Sequence, residues 1–361
     1  MKNNLLILLI FFSLQGSAQS LNPWKATAAK EWIYIPASTF GSNGMIGNDS
    51  FNFDNRERII SENGFYIYRT EVTNALYLQF LKENSGSEFL PDTTCWNTDF
   101  GVNYHTPMVE KYLRSTTYAN YPVVGVSQLQ ALKFCQWMEK NIRSELSKIP
   151  DFNDYTCELT LPTNNQWESA FYRAYLHNHK DSQMGNWVIQ QRIVSSKGKN
   201  LVNYGQESTS EGYILKNYTS DGGLFPTSFT AFKPNKIKLF DLLGNVSELT
   251  LSNAFNTTDT TEISVDKSQH KIHYLKLRNG IRDTLNTCHF WGKMENIQKI
   301  MPGDGYIAAK GGSWLHGIFY MQPSVSLFVK PTEQHSYIGF RPVLVLKRKN
   351  PQTTQNLNIE N

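Results

Sequence analysis

Three stretches of the chain carry apolar residues at helical spacing behind a polar cap. In EVTNALYLQFLKENSG, Thr73 stands as the N-cap, Leu76, Phe80 and Leu81 form one stripe, and Gly86 is the expected stop. In GVSQLQALKFCQWMEKNI, Ser127 and Gln130 have capping-box spacing ahead of an apolar face of Ala131, Phe134, Cys135, Met138 and Ile142. Thr163 and Gln166 repeat that spacing in LPTNNQWESAFYRAYL. Three helices are therefore predicted, each with a buried face.

Between the helices the pattern shortens to strands and turns: EWIYIPASTF, NGFYIYRTEV, CELTLP, KLFDLLGNVSEL, AAKGGSW and YIGFRPVLVL. Residues 254–300 form a charged insertion with few turn signals, and residues 348–361 form a polar tail with the composition of a disordered segment. No linker and no internal repeat divides the rest, so the expectation is a single α+β domain.

The first residues change the compartment. MKNNLLILLIFFSLQGSAQS has one basic residue, an apolar run too short to span a bilayer, and small residues from Gly16 to Ala18, which predicts a signal peptide over 1–18. No cysteine precedes Cys95, so no lipid anchor is expected. The mature chain is expected in the periplasm, at the cell surface or secreted, neither membrane-spanning nor lipid-anchored. A formal charge of +4 spread along 361 residues gives no basic patch for nucleic acid. Aromatics at 13% suit a loop-rich fold pinned by buried rings. An oxidising compartment allows disulfides among Cys95, Cys135, Cys157 and Cys288, but spacing does not choose the pairing.

Oxygen-rich turns are the candidate ion sites: one around Asn203 and NYTSDGG, a second at LLGNVSE. A hard cation such as calcium takes six to eight oxygens, many from backbone carbonyls, and Asp221 or Glu248 would add charge. The alternative is that Asn245 and Glu248 only cap a turn. The histidines offer less: His177 and His179 sit in a polar stretch, His270 and His273 in the insertion, and His289, His316 and His335 are isolated in sequence. No nucleophile elbow, phosphate loop, dinucleotide fingerprint or zincin helix is present.

Taken in order, YIPASTF, GFYIYRTEVTNALYLQFL, YPVVGVSQLQALKFCQWM, LTLPTNNQWESA, FKPNKIKLFDLLGNVSEL, KGGSW and YIGFRPV resemble the formylglycine-generating enzyme (sulfatase-modifying factor) family over residues 31–347. The resemblance implies a single loop-rich α+β domain of C-type-lectin-like character. LPDTTCWNTDFGVNYHTPMVEKY, NYTSDGGLFPTSFTAFKPN and SYIGFRPV further resemble the gliding-motility and type IX secretion lipoproteins of Bacteroidota, which implies an envelope or secretion-system partner.

The family resemblance also assigns residues. One calcium would be held by Asn203, Tyr204, Asp221 and Gly223, and a second by Leu243, Gly244, Val246 and Glu248. The copper-binding cysteine pair of the family's oxidases falls on His316 and Met321, neither of them a thiolate. Leu249 and Lys238 replace a customary Trp and Gly. The reading is thus a non-catalytic binding or scaffold component of the envelope, with calcium and without copper. A copper- and oxygen-dependent oxidase that converts a sulfatase cysteine to formylglycine is the alternative. A calcium-dependent glycan-binding module is the third reading, supported by aromatics and fold analogy.

Overall fold

A computed structural model describes residues 31–42, 58–100, 106–147, 154–175, 193–195, 197–210, 213–217, 223, 225–253, 262–266, 271–278, 281–283, 297–300, 305–323 and 326–349. The expected signal peptide, Asp221, His177, His179, His270, His289 and Cys288 lie outside these residues, as does all but the start of the expected tail.

The central antiparallel sheet runs β1 (Trp32–Ile35), β4 (Phe65–Tyr68), β16 (Val343–Arg348) and β5 (Tyr155–Thr160), so that β4 pairs with both the first and the last described strand. Alternation along these strands serves two cores. Phe65, Ile67 and Val343 pack with Trp167 and Phe171 of helix α5 (Asn164–Tyr175), while Tyr66, Tyr68 and Leu344 belong with Phe134 and Cys135 of α4 (Gln128–Leu146). The sheet therefore has a helix on each side. β16 runs one residue beyond 347, to Arg348, and the Lys349 amide bonds Asp154 O at 2.7 Å, so the predicted tail begins later than 348.

A second sheet, in the order β14 (Leu327–Val329), β13 (Ile307–Lys310), β8 (Ser247–Asn253) and β15 (Ile338–Gly339), carries the glycine turn at the end of β13. The insertion folds into a third sheet, ordered β11 (Ile281–Asp283), β10 (Lys271–Arg278), β9 (Glu262–Asp266) and β12 (Ile297–Ile300). Two hairpins, β2 (Ser38–Ser42) with β3 (Arg58–Glu62) and β6 (Gln206–Ser210) with β7 (Tyr213–Asn217), complete the strands among the described residues.

Local chemistry accounts for the helix ends. Helix α1 (Asn74–Glu83) starts at Thr73, whose Oγ1 accepts from the Leu76 amide at 3.3 Å. It ends at Asn84 rather than at Gly86, because the Asn84 amide and Nδ2 both donate to Phe80 O and close the last turn. Both capping boxes form: Ser127 N to Gln130 Oε1 at 2.8 Å with its return bond at 3.3 Å, and Thr163 N to Gln166 Oε1 at 3.0 Å with its return at 3.1 Å. Two short helices, α2 (Cys95–Phe100) and α3 (Thr106–Lys111), were not predicted. No helix among the described residues is long and apolar enough to cross a membrane.

Candidate functional site

The loop after β13 is built on two glycines. Gly311 and Gly312 have φ of +94° and +71°, and a Cβ on Gly311 would lie 2.9 Å from Leu242 O. Lys310 ahead of them is buried, with Nζ 3.1 Å from Glu168 Oε1 and donating to Pro323 O at 2.7 Å, so both ends of the loop are tied down.

Within the loop, Ser313 Oγ lies 2.6 Å from His316 Nδ1 and also accepts from the Leu315 amide at 3.2 Å. The His316 ring sits edge-on to Tyr320 and to Tyr337, each with centroids 4.9 Å away, and is buried. Trp314 donates Nε1 to Ser336 O at 3.1 Å. Met321 is fully buried on the other side of the loop, where a Cβ on Gly312 would meet its Cγ at 3.0 Å. His316 thus faces aromatic rings and Met321 fills the core against α5. Among the described residues no group of three or more His, Cys, Asp or Glu side chains is placed to hold a metal ion.

Among the described residues the cysteines give no thiolate to this loop. Cys95, Cys135 and Cys157 are buried free thiols, so no disulfide joins any of them. Burial pushes all three thiols up from their ordinary pKa, and a thiol held protonated is a poor nucleophile and a poor ligand.

The first oxygen-rich turn brings Asn203 and Gly223 together. Asn203 is fully buried; its Nδ2 donates to Phe225 O at 2.8 Å and to Asn245 Oδ1 at 3.3 Å, while its backbone carbonyl accepts from the Asn245 amide at 2.8 Å. Its Oδ1 has no hydrogen-bond partner among the described residues, and a Cβ on Gly223 would lie 2.8 Å from it. A buried, unpartnered amide oxygen beside a glycine that admits close approach suits a hard cation. Tyr204 follows in the same turn, also buried.

The second turn differs from the expectation in its donors. Lys238, Asp241, Gly244 and Asn245 all have positive φ, which explains why a glycine would be the ordinary choice at 238. Leu243, Gly244 and Val246 lie in this turn as predicted, but the Glu248 carboxylate is already engaged: Oε1 accepts from Arg341 Nε at 2.8 Å and Nη2 at 2.6 Å, and Oε2 from Trp167 Nε1 at 2.9 Å. The carboxylate with an unpartnered oxygen is Asp241, at Oδ2. Glu71 joins the cluster, accepting from Asn245 Nδ2 at 2.6 Å and from the Val246 amide at 3.0 Å.

Three buried carboxylates therefore face one guanidinium. Burial raises Glu71, Glu248 and Asp241 above the usual carboxylate range, Asp241 to about 7, despite the opposing pull of Arg341. The unpartnered Asp241 oxygen offers a cation a freer ligand than the engaged Glu248 carboxylate does. Sequence reading missed Glu71, Asp241 and Arg341 as partners. All three lie in the quoted stretches RTEV, LFDLL and GFRPV, but nothing local shows that they converge.

A glycine-built loop and oxygen-rich turns on one α+β domain define a formylglycine-generating-enzyme-type fold. The chain belongs to the family described as the sulfatase-modifying factor enzyme 1-like domain, whose pattern matches residues 18–346. Among solved structures it is similar to Treponema denticola variable protein 1, at 16% identity and a TM-score of 0.45, covering 86% of this chain and 94% of that one. It is also similar to PvdO from Pseudomonas aeruginosa, at 15% identity and a TM-score of 0.48, covering 87% and 93%. A third likeness, to CarF, has 15% identity and a TM-score of 0.41, covering 89% and 98%. No curated protein matches.

Proposed function

We propose that this chain is an exported, non-catalytic member of its family that serves as a binding or scaffold component of a bacterial cell envelope, in type IX secretion or gliding motility. The observation that carries the reading is the pair His316 and Met321 in the places of two thiolates, with the described thiols buried elsewhere and held protonated. The family's oxidation of a substrate cysteine needs soft anionic ligands that an imidazole and a thioether do not replace. Copper-loaded protein incubated with a sulfatase-motif peptide is expected to form no aldehyde by mass spectrometry; aldehyde formation overturns the non-catalytic reading. Deleting the gene is expected to alter secretion, gliding or the composition of an envelope complex, and three unchanged readouts overturn the envelope role.

Calcium belongs to the same proposal. Asn203, Tyr204, Asp221 and Gly223 would hold one ion, and Asp241 with Leu243, Gly244 and Val246 a second, with Glu248 kept on Arg341 and Trp167. A bound ion would neutralise the buried carboxylates and fix the turns between β7 and β8, with no step of a reaction passing through it. Elemental analysis of the purified mature protein is expected to find calcium without copper.

A further inference from the structure

Two surface loops meet beside the first oxygen-rich turn. The segment 115–121 reads STTYANY and the segment 225–231 reads FPTSFTA; neither contains a charged side chain, in a chain that is 18% charged. The nearest charges in sequence, Arg114 and Lys233, flank them. The Phe229 amide bonds Asn120 O at 3.2 Å and joins the two.

Both loops are anchored from below. Asn74, fully buried, donates Nδ2 to Tyr112 O and Tyr118 O, each at 3.0 Å. The Thr227 amide donates to Asn245 Oδ1 at 2.7 Å, and Asn245 Nδ2 returns a bond to Thr227 O at 3.2 Å. Trp96 and Tyr112 form a common aromatic floor, with Trp96 5.7 Å from Phe225 and Tyr112 5.3 Å from Tyr118 between centroids. On this floor stand Tyr118 and Tyr121, half-buried, 5.1 Å apart and nearly perpendicular at 84°. Neither tyrosine hydroxyl has a hydrogen-bond partner among the described residues.

We infer that these loops form a binding site for a neutral carbohydrate. A tyrosine presents an apolar ring face to the C–H face of a sugar and a hydroxyl to its rim, with little entropy to lose when the ring is already packed. The two loops also carry Thr227, Ser228 and Asn120, neutral donors and acceptors of the kind that match sugar hydroxyls. The lack of charge within both loops argues against the other polymers: single-stranded nucleic acid needs cations along its backbone as well as stacking, and a charged peptide needs a counter-charge, whereas the Arg69 guanidinium close to Phe229 is stacked over the Phe240 ring at 4.9 Å. The site is independent of the scaffold reading, because it uses neither His316 nor the cation turns as ligands.

The test uses the mature chain and four neutral polysaccharides, dextran, mannan, xylan and chitin, in affinity electrophoresis followed by titration of soluble oligomers. Binding to at least one is expected. It should weaken at least tenfold in Tyr118→Ala/Tyr121→Ala, and equally in Asn120→Arg, which sets a long charged side chain over the loops without disturbing the aromatic floor. Thermal unfolding of Asn120→Arg should match the parent, so the test survives if the tyrosine variant fails to fold. No binding to any of the four, binding that Asn120→Arg leaves unchanged, or capture only of a protein through these loops overturns the inference.

Discussion

Two side chains, Asp241 and His335, give the molecule pH windows that can be measured. Asp241 goes from 3.8 to about 7, because burial and the Glu248 charge outweigh Arg341. A carboxyl raised in the folded state stabilises below its unfolded pKa and loses that contribution as pH rises through the folded value, so calcium-free protein should weaken between about pH 4 and 7. At about 1.4 kcal/mol per unit, the ionised group costs on the order of 4 kcal/mol at pH 8. Asp241→Asn should therefore raise the melting temperature in chelator at pH 8 and abolish the rise that added calcium produces in the parent. An equal calcium shift in both proteins would remove Asp241 from the proposed site.

His335 governs a second window. Burial alone would lower it, but hydrogen bonds to Asp99 and Glu333 and their charges raise it from 6.5 to about 9. Its Nδ1 lies 2.9 Å from Asp99 Oδ1, and Asp99 Oδ2 accepts from Ser336 N and Oγ, each at 2.6 Å. The imidazolium contributes its full stability below about pH 6.5 and loses it as pH rises through about 9. His335→Gln should flatten the fall in urea stability between pH 6.5 and 9, which reaches roughly 3 kcal/mol in the parent.

At the level of elements, capping chemistry was readable wherever donor and acceptor lie within three residues, as at Ser127 with Gln130 and Thr163 with Gln166. Ser127→Ala should cost about 1 kcal/mol in urea unfolding. The short helices α2 and α3 escaped prediction because six residues hold less than two turns of apolar periodicity, and tertiary packing of Trp96 and Met108 decides them. The turn at Gly311 shows the opposite case: its glycine was visible, its reason was not. A positive φ together with the approach of Leu242 O, 69 residues earlier in the chain, and of the Trp167 ring makes a Cβ costly. Gly311→Ala should destabilise by more than about 1 kcal/mol, beyond the helix-type glycine effect, because both the positive φ and the 2.9 Å contact oppose it.

Across the whole molecule, NGFYIYRTEV and YIGFRPVLVL were legible as strands but their meeting in one sheet was not, since their apolar runs feed two cores at once, consecutive residues going to opposite faces. The buried charges were not legible either, because Arg341 meets Glu248 across 93 positions and Lys310 meets Glu168 across 142. Lys310 closes the end of β13 and Glu168 belongs to α5, so their pair couples the glycine loop to the helix behind the central sheet. Both side chains are almost fully buried, at 2% and 1% exposure, which makes the pair weak evidence for stability but its rupture severe. Lys310→Met should cost about 3–5 kcal/mol by removing the cation that faces Glu168 in the core, whereas Lys310→Met/Glu168→Leu should recover most of that loss. Equilibrium urea unfolding of both variants separates the outcomes. If the double variant is as unstable as the single, the pair sets the packing of α5 against β13 rather than merely balancing charge, and the loop carrying His316 should then lose the Ser313 hydrogen bond seen by the His316 ring resonances.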